Sequence, residues 1–406
     1  MGPTLEEKTA VVNKKIKMKI FVNSYIYAYE RFFRMFEFFD NKNQLVFILP
    51  KIWKAKGGKI KVVPSEKKEF KIIKTWVPFY HSHYPIIRGM LKGWMPFTGS
   101  ILRKLAHKGD VLLSSGEPNL LSTYLYSRLA KKMGLKHVFL TFQNINYDKR
   151  LSGAKLKVTN WLLRQNIKLS AGALCGTHQV YEVLKPYLDN KIKVAVIPQT
   201  GVDVDVFRPG MASDFRQKFG LEGKFIFLFA AVFDERKGVF TTINAFRETL
   251  NDIPTAHLVM IGIGKLWSQA KDLVNELGIT DKVTFIEWLP NNELAGIFSS
   301  VDVLVHPSEP YKGWEEQMGS TLLQASSSGL PVIATNIGGI PESIINQKTG
   351  ILVEPKNIQA LSEAMIYLAQ HPEVRAEFGR QGREHVIREY SHKVVAERLE
   401  RFLKSL

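Results

Sequence analysis

The chain has 406 residues, 45% hydrophobic and 23% charged, which is enough for two domains of ordinary size, each with its own core. Its single cysteine, Cys175, excludes an intramolecular disulfide and offers no metal-ligand spacing, so a reducing, cytosolic setting is expected. Residues 1–200 hold 35 Lys+Arg against 12 Asp+Glu, and residues 201–406 hold 21 against 26, so the basic excess sits entirely in the first half. Two readings of that asymmetry stay open: a polyanionic partner (an anionic membrane surface, a lipid phosphate or nucleic acid), or a surface tuned for solubility.

In chain order, residues 1–15 carry acids ahead of their lysines and lack an apolar core before a small-residue cleavage site, so a loose tail and no signal peptide are expected. Short apolar runs rich in β-branched and aromatic residues follow at Ile20–Val22, Leu45–Leu49, Asp110–Ser114, Val138–Phe142 and Ala171–Leu174. They alternate with segments of helical period such as Leu120–Lys132, the pattern of βα units in a parallel sheet. The turn-rich stretch Ile197–Pro209 reads as a connection between domains. Beyond it the same alternation resumes, with strands expected at Phe225–Ala231, Ala256–Ile261, Val283–Phe285, Val301–His306, Val332–Ala334 and Gly350–Val353. The helix after the first of these shows a stripe at Val239, Ile243, Phe246 and Leu250. Ala360–Leu368 and Pro372–Leu406 also read as helical. No stretch approaches the ~20 apolar residues needed to span a bilayer.

Ligands of such a fold are expected where loops and helix N-termini converge at the carboxyl edges of the sheets. Gly262-Ile-Gly264 follows a strand and suits either close approach to a phosphate or an ordinary tight turn. Asp234-Glu-Arg-Lys-Gly238 is expected to open a helix whose terminus, with Arg236 and Lys237, offsets the charge of a diphosphate. Glu316, at the end of a long loop, is placed to accept sugar hydroxyls. Gly319 and Ser320 then open a helix that carries Gln324 about a turn further on. The plain alternative is an acid complementing the helix dipole and a solvated glutamine.

The order Arg-Lys-Gly, Glu316 with a polar residue eight positions later, Ser-Gly-Leu-Pro-Val, Gly-Gly-Ile-Pro-Glu and Gly-Ile-Leu-Val resembles glycosyltransferase family 4. The Ile-Pro-Gln-Thr-Gly-Val-Asp linker is similar to that family's connection, and the likeness is strong over residues 197–388. Within the family the chain resembles a subgroup with a Gln-Asn pair at a strand end and a Trp-Glu-Glu-Gln-x-Gly donor loop. The resemblance implies an α/β fold of the GT-B type, two Rossmann-like domains facing a cleft. It divides the chain into an acceptor domain at 16–200, a nucleotide-sugar domain at 201–388 and a last helix, 389–406, returning to the first domain. It also implies a hexosyltransferase that works with retention, without metal or cofactor, on a nucleotide-diphosphate sugar. Lys237 and Glu316 are then the catalytic pair, and Gly264, Met318, Gly319, Ser320, Gln324 and Arg236 complete the donor site. Two positions depart from the family. Gln324 stands where a glutamate usually holds the ribose, a loss of roughly 1–2 kcal/mol of charge-assisted hydrogen bonding. Val232 stands where an arginine usually meets the leaving phosphate, a loss of ~3 kcal/mol.

Acceptor or sugar contacts are expected from Gln143, Asn144, His178, His83 and Arg88 in the first half, with the amides as binders because neither can be a general base. The aromatic run Tyr25–Phe39, with Arg31 and Arg34, suits a membrane interface or a core-packed first helix. Together these features point to a peripheral protein on the cytoplasmic face of a membrane that glycosylates a lipid-linked or polysaccharide acceptor. The rivals are a non-catalytic subunit of the same fold that binds nucleotide sugar or scaffolds a partner transferase, and a nucleic-acid binder, for which no motif is present.

Overall fold

The computed structural model describes residues 18–55, 58–60, 62, 69–80, 87–287, 289 and 291–406. The expected tail at 1–15 and the candidate His83 lie outside them. The first half forms a seven-stranded sheet from β1 (Ile20–Asn23), β2 (Leu45–Pro50), β5 (Lys71–Thr75), β6 (Val111–Ser114), β7 (Lys136–Thr141), β8 (Gly172–Cys175) and β9 (Lys193–Val196). A two-stranded hairpin, β3 (Trp53–Ala55) and β4 (Gly58–Ile60), stands apart from it. The second half forms a six-stranded sheet from β10 (Phe225–Ala230), β11 (Ala256–Ile261), β12 (Val283–Ile286), β13 (Val303–His306), β14 (Val332–Thr335) and β15 (Gly350–Val353). Both sheets are parallel throughout, and their inner strands are largely the buried apolar runs that a parallel sheet covered on both faces carries.

Strand order is β5-β2-β1-β6-β7-β8-β9 in one sheet and β12-β11-β10-β13-β14-β15 in the other. Direction of winding therefore reverses between β1 and β6, and again between β10 and β13. At those switch points adjacent loops leave toward opposite faces and open a crevice. The residues that follow β6, β10 and β13 thus face the gap between the two domains.

The aromatic run resolves to the core. Tyr27, Phe33, Phe36 and Phe39 are buried, and Phe33 and Phe36 pack against Phe47, with Phe70 closing the cluster at 5.1 Å from Phe33. Only Phe38 among the phenylalanines of this run is strongly exposed. Burial of four large rings, at ~1.5–3 kcal/mol each, accounts for the aromatic content of this segment as core packing.

Two chain crossings join the halves side by side. Val202 N donates to the Tyr390 carbonyl at 2.7 Å and His392 N to the Val202 carbonyl at 3.0 Å. The segment expected as one helix from Pro372 is in fact two, Pro372–Tyr390 and His392–Ser405, broken at Ser391, whose side chain caps the second. That last helix buries Val395, Ala396, Leu399 and Leu403 in the core under the first sheet. Glu400 accepts from the Asp40 amide at 3.0 Å, and Arg398 donates to the Val196 carbonyl at 3.0 Å.

Candidate active site between the two sheets

The chain leaving β10 makes a single 3₁₀ turn, Glu235–Lys237, with Asp234 accepting from the Arg236 amide at 3.0 Å. It does not open the following helix, as the sequence suggested. Gly238 adopts φ 65°, which ends the turn, and the helix runs from Val239 to Thr249. A Cβ at Gly238 would overlap the carbonyl oxygen of Pro307, so glycine here lets β10's exit loop lie against β13's. Lys237 is thereby aimed across the switch point.

Glu316 meets it there. Its side chain is 11% exposed, forms an ion pair with Lys237, accepts from Ser308 Oγ at 3.2 Å and faces His306 Nε2 at 3.5 Å. Burial alone raises this carboxyl, but the histidine hydrogen bond and the Lys237 charge outweigh it and hold Glu316 well below the usual carboxylate range. Burial lowers His306, so its imidazole is neutral at pH 7. Glu316 is therefore a charged acceptor, with a cation beside it.

The loop is fixed from behind. A Cβ on Gly338 or Gly339 would overlap the carbonyl oxygens of Glu316 and Gln317, so Gly-Gly-Ile-Pro-Glu342 packs backbone to backbone beneath the Glu316 loop. After it, Gly319 at φ 70° is the N-cap of helix Ser320–Ser327, with Ser320 exposed at its first turn and Gln324 half-buried. Glu316, Met318, Gly319, Ser320 and Gln324 line one wall of an interdomain cavity of ≈ 450 Å³, with Arg31, Phe142 and Thr177 on the other. That volume lies within the ~300–1,000 Å³ range of small-ligand sites.

Other expected residues are placed differently. Arg236 pairs with Asp234 of its own turn, and its guanidinium lies over Trp314 at 4.7 Å. Gly264 sits on an exposed loop, but Gly262 and Gly264 are glycines because Cβ atoms there would overlap the Ala231 and Phe233 carbonyls, which is a packing reason. Gln143 is turned into its own loop, donating to Ile145 O and accepting from Arg150 Nη1 at 3.0 Å. Asn144 instead crosses the cleft and donates to the Glu316 carbonyl at 3.1 Å and the Glu315 carbonyl at 3.3 Å. The His178 side chain is exposed over a separate hollow with Tyr181 and Lys185. Its backbone, not its ring, reaches the other domain. Arg88 lies in the single turn Ile87–Met90, and its side chain is outside the described residues.

Sequence reasoning missed two carboxylates. Glu117, just after β6, accepts from Thr141 Oγ1 at 2.7 Å and Phe142 N at 2.9 Å, and burial raises its carboxyl despite those bonds. A lone acid among small residues at a strand end was the available signal. Glu342 accepts from the His178 and Gln179 amides at 2.9 and 3.3 Å, so it caps a helix of the opposite domain. Nothing local announces that role.

Residues 212–385 match the family described as Glycosyl transferases group 1. Over 208 residues the chain is 30% identical to a GDP-mannose-dependent alpha-(1-6)-phosphatidylinositol monomannoside mannosyltransferase of Mycobacterium tuberculosis, covering 50% of this chain and 54% of that one. A D-inositol 3-phosphate glycosyltransferase of Corynebacterium urealyticum is 30% identical over 240 residues, 56% of this chain and 55% of its own. The chain thus spans about half the length of the curated relatives it matches. In shape it is similar to the Anabaena protein HepE in complex with UDP, with TM-score 0.73 at 16% identity over 96% of this chain and 100% of that one. Sucrose-phosphate synthase from Thermosynechococcus elongatus gives TM-score 0.72 at 17% identity, with 96% and 99% covered. The fold is the GT-B arrangement expected from the sequence. Among the described residues no cluster of metal-binding side chains occurs, and no helix is long and apolar enough to cross a membrane.

Proposed function

We propose that the protein transfers a hexosyl group, with retention and without a metal ion, from a nucleotide-diphosphate sugar to a lipid-linked acceptor on the cytoplasmic face of a membrane. The observation that carries this reading is the Lys237–Glu316 pair, set at the switch point beside a free helix N-terminus and a ligand-sized cavity. Lys237 and the amides at Gly319–Ser320 meet the diphosphate, where a helix terminus and a cation offset its charge. Glu316 turns from Lys237 to the sugar hydroxyls, and Gln324 reaches the ribose. As the bond from the anomeric carbon to the phosphate oxygen breaks, the developing charge is stabilised by groups already in place. The acceptor hydroxyl bonds to that carbon from the same face, and its proton passes to the departing phosphate oxygen. Relatives whose names specify phosphatidylinositol mannoside and inositol 3-phosphate support a lipid or phosphate-bearing acceptor.

The test is incubation of the purified protein with single nucleotide sugars and a lipid extract, followed by NMR of the product's anomeric proton. A product with the donor's anomeric configuration is expected, formed equally well in chelator. An inverted product, or one that needs added metal, overturns the mechanism.

A further inference from the structure

The two longest helices of the N-terminal domain, Leu121–Met133 and Gly153–Leu169, carry three and four Lys/Arg residues and no Asp or Glu. They lie side by side: Ser127 Oγ donates to Asn166 Oδ1 at 2.9 Å, and the Tyr124 and Trp161 rings meet edge to face at 5.3 Å. Their cations fall in register. Tyr124, Arg128 and Lys131 form one stripe and Lys157, Trp161, Arg164 and Lys168 the other, at spacings of three and four that share a helix face. All five of these Lys and Arg residues are exposed, and on the second helix Trp161 and Val158 stand 50% and 47% exposed among them.

A surface tuned only for solubility mixes its signs. The helix Pro372–Tyr390 does so, with Arg380 paired to Glu377 and Glu384 at 2.6 Å each. Neither helix of the N-terminal face carries an acid to pair with its cations, and the face holds exposed apolar side chains. That combination fits a layer with anionic phosphates outside and hydrocarbon beneath, which aromatic and long basic side chains straddle. Single-stranded nucleic acid needs a series of open ring faces, and here Arg128 lies over the Tyr124 ring at 5.7 Å. Both helices start at the carboxyl edge of the sheet, beside the loop that carries Gln143, Asn144 and Arg150, so the face runs up to the lip of the cleft.

We infer that this face docks flat on an anionic lipid bilayer, with Trp161 and Val158 entering the headgroup layer and Arg128, Lys131, Lys157 and Lys168 contacting lipid phosphates. The assignment deepens the lipid-acceptor part of the proposed function. It is measured without donor or turnover, so each can fail separately.

The test is flotation of the full chain with vesicles of phosphatidylcholine alone or mixed with phosphatidylglycerol, at ~0.1 and ~0.5 M salt. Binding is expected to the mixed vesicles only, and to fall at the higher salt. Lys157→Glu with Lys168→Glu is expected to weaken it by at least ~10-fold, and Trp161→Ala several-fold. Lys218→Glu, an exposed position in the other domain, is expected to leave it unchanged. All sites are on the surface, and thermal melts of each variant confirm folding. Equal binding to neutral vesicles, no binding, equal loss in Lys218→Glu, or displacement from vesicles by single-stranded DNA at matched charge overturns the inference.

Discussion

Replacing Lys237 by Met removes the cation that Glu316 faces and leaves the carboxylate of a buried side chain, 11% exposed in the intact pair, without it. Breaking a buried pair from one side costs ~3–5 kcal/mol. Ser308 Oγ at 3.2 Å and the His306 ring still donate, so a loss of about 3 kcal/mol is expected. Glu316→Gln strands Lys237 instead, but that ammonium keeps the Trp314 ring at 5.1 Å and a side chain 16% exposed, so about 2 kcal/mol is expected. The double variant removes both charges together and should lose only about 2 kcal/mol, because swapping a whole buried pair for neutral groups is close to even. The cycle then gives a coupling of about 3 kcal/mol, read from urea unfolding at pH 7. Two single losses that add within ~0.5 kcal/mol would falsify the pairing.

Acid should weaken the fold through buried neutral histidines. Burial lowers His137 to about 3, with Ser114 and Ser170 as its partners at 2.9 and 2.7 Å, and lowers His257 and His392 to about 4. Their stabilisation is complete above the unfolded value near 6.5 and is lost as pH falls toward 3–4; His137 alone accounts for ~2 kcal/mol between pH 7 and 5. Urea midpoints at those two pH values check this, and His137→Gln should flatten the dependence. Glu342→Ala removes the cap that crosses the cleft, a charged acceptor of two amides worth ~1.5–3 kcal/mol, so small-angle scattering should show a more open molecule and the donor KM should rise. An unchanged scattering curve counts against the cap as a closure contact. Gln324→Glu should tighten nucleotide-sugar binding by roughly 10-fold in calorimetry, and Val232→Arg should raise turnover. A gain in affinity from both without turnover in either points to the non-catalytic subunit.

Most strands were legible because a parallel sheet buried on both faces needs continuous apolar runs, as in Phe225–Ala230. β5 was not, since its lysines at 71 and 74 break the run, which is how an edge strand guards itself. β9, the opposite edge, opens with Lys193 and escaped notice for the same reason. In the site, Lys237, Glu316 and the Gly319–Ser320 start lie within short motifs with a mechanism attached. Glu117 lies in none, and the motifs that hold Asn144 and Glu342 do not announce their partners: Asn144 bonds Glu316 across 172 positions and Glu342 bonds His178 across 164, relations that only the folded chain creates. The aromatic run left two readings open for a related reason, since periodicity does not say which side of a short helix the core lies on; the burial of Tyr27, Phe33, Phe36 and Phe39 decides for the core-packed one.

The proposed function stands or falls on whether the Lys237–Glu316 cleft binds a nucleotide-diphosphate sugar. Isothermal titration of the protein with UDP- and GDP-linked hexoses tests it most directly. The account predicts saturable binding of one nucleotide series, weakened by at least ~10-fold in Lys237→Met through loss of a charge-assisted phosphate contact. Binding of no nucleotide sugar, or equal binding by the Lys237→Met protein, would contradict it.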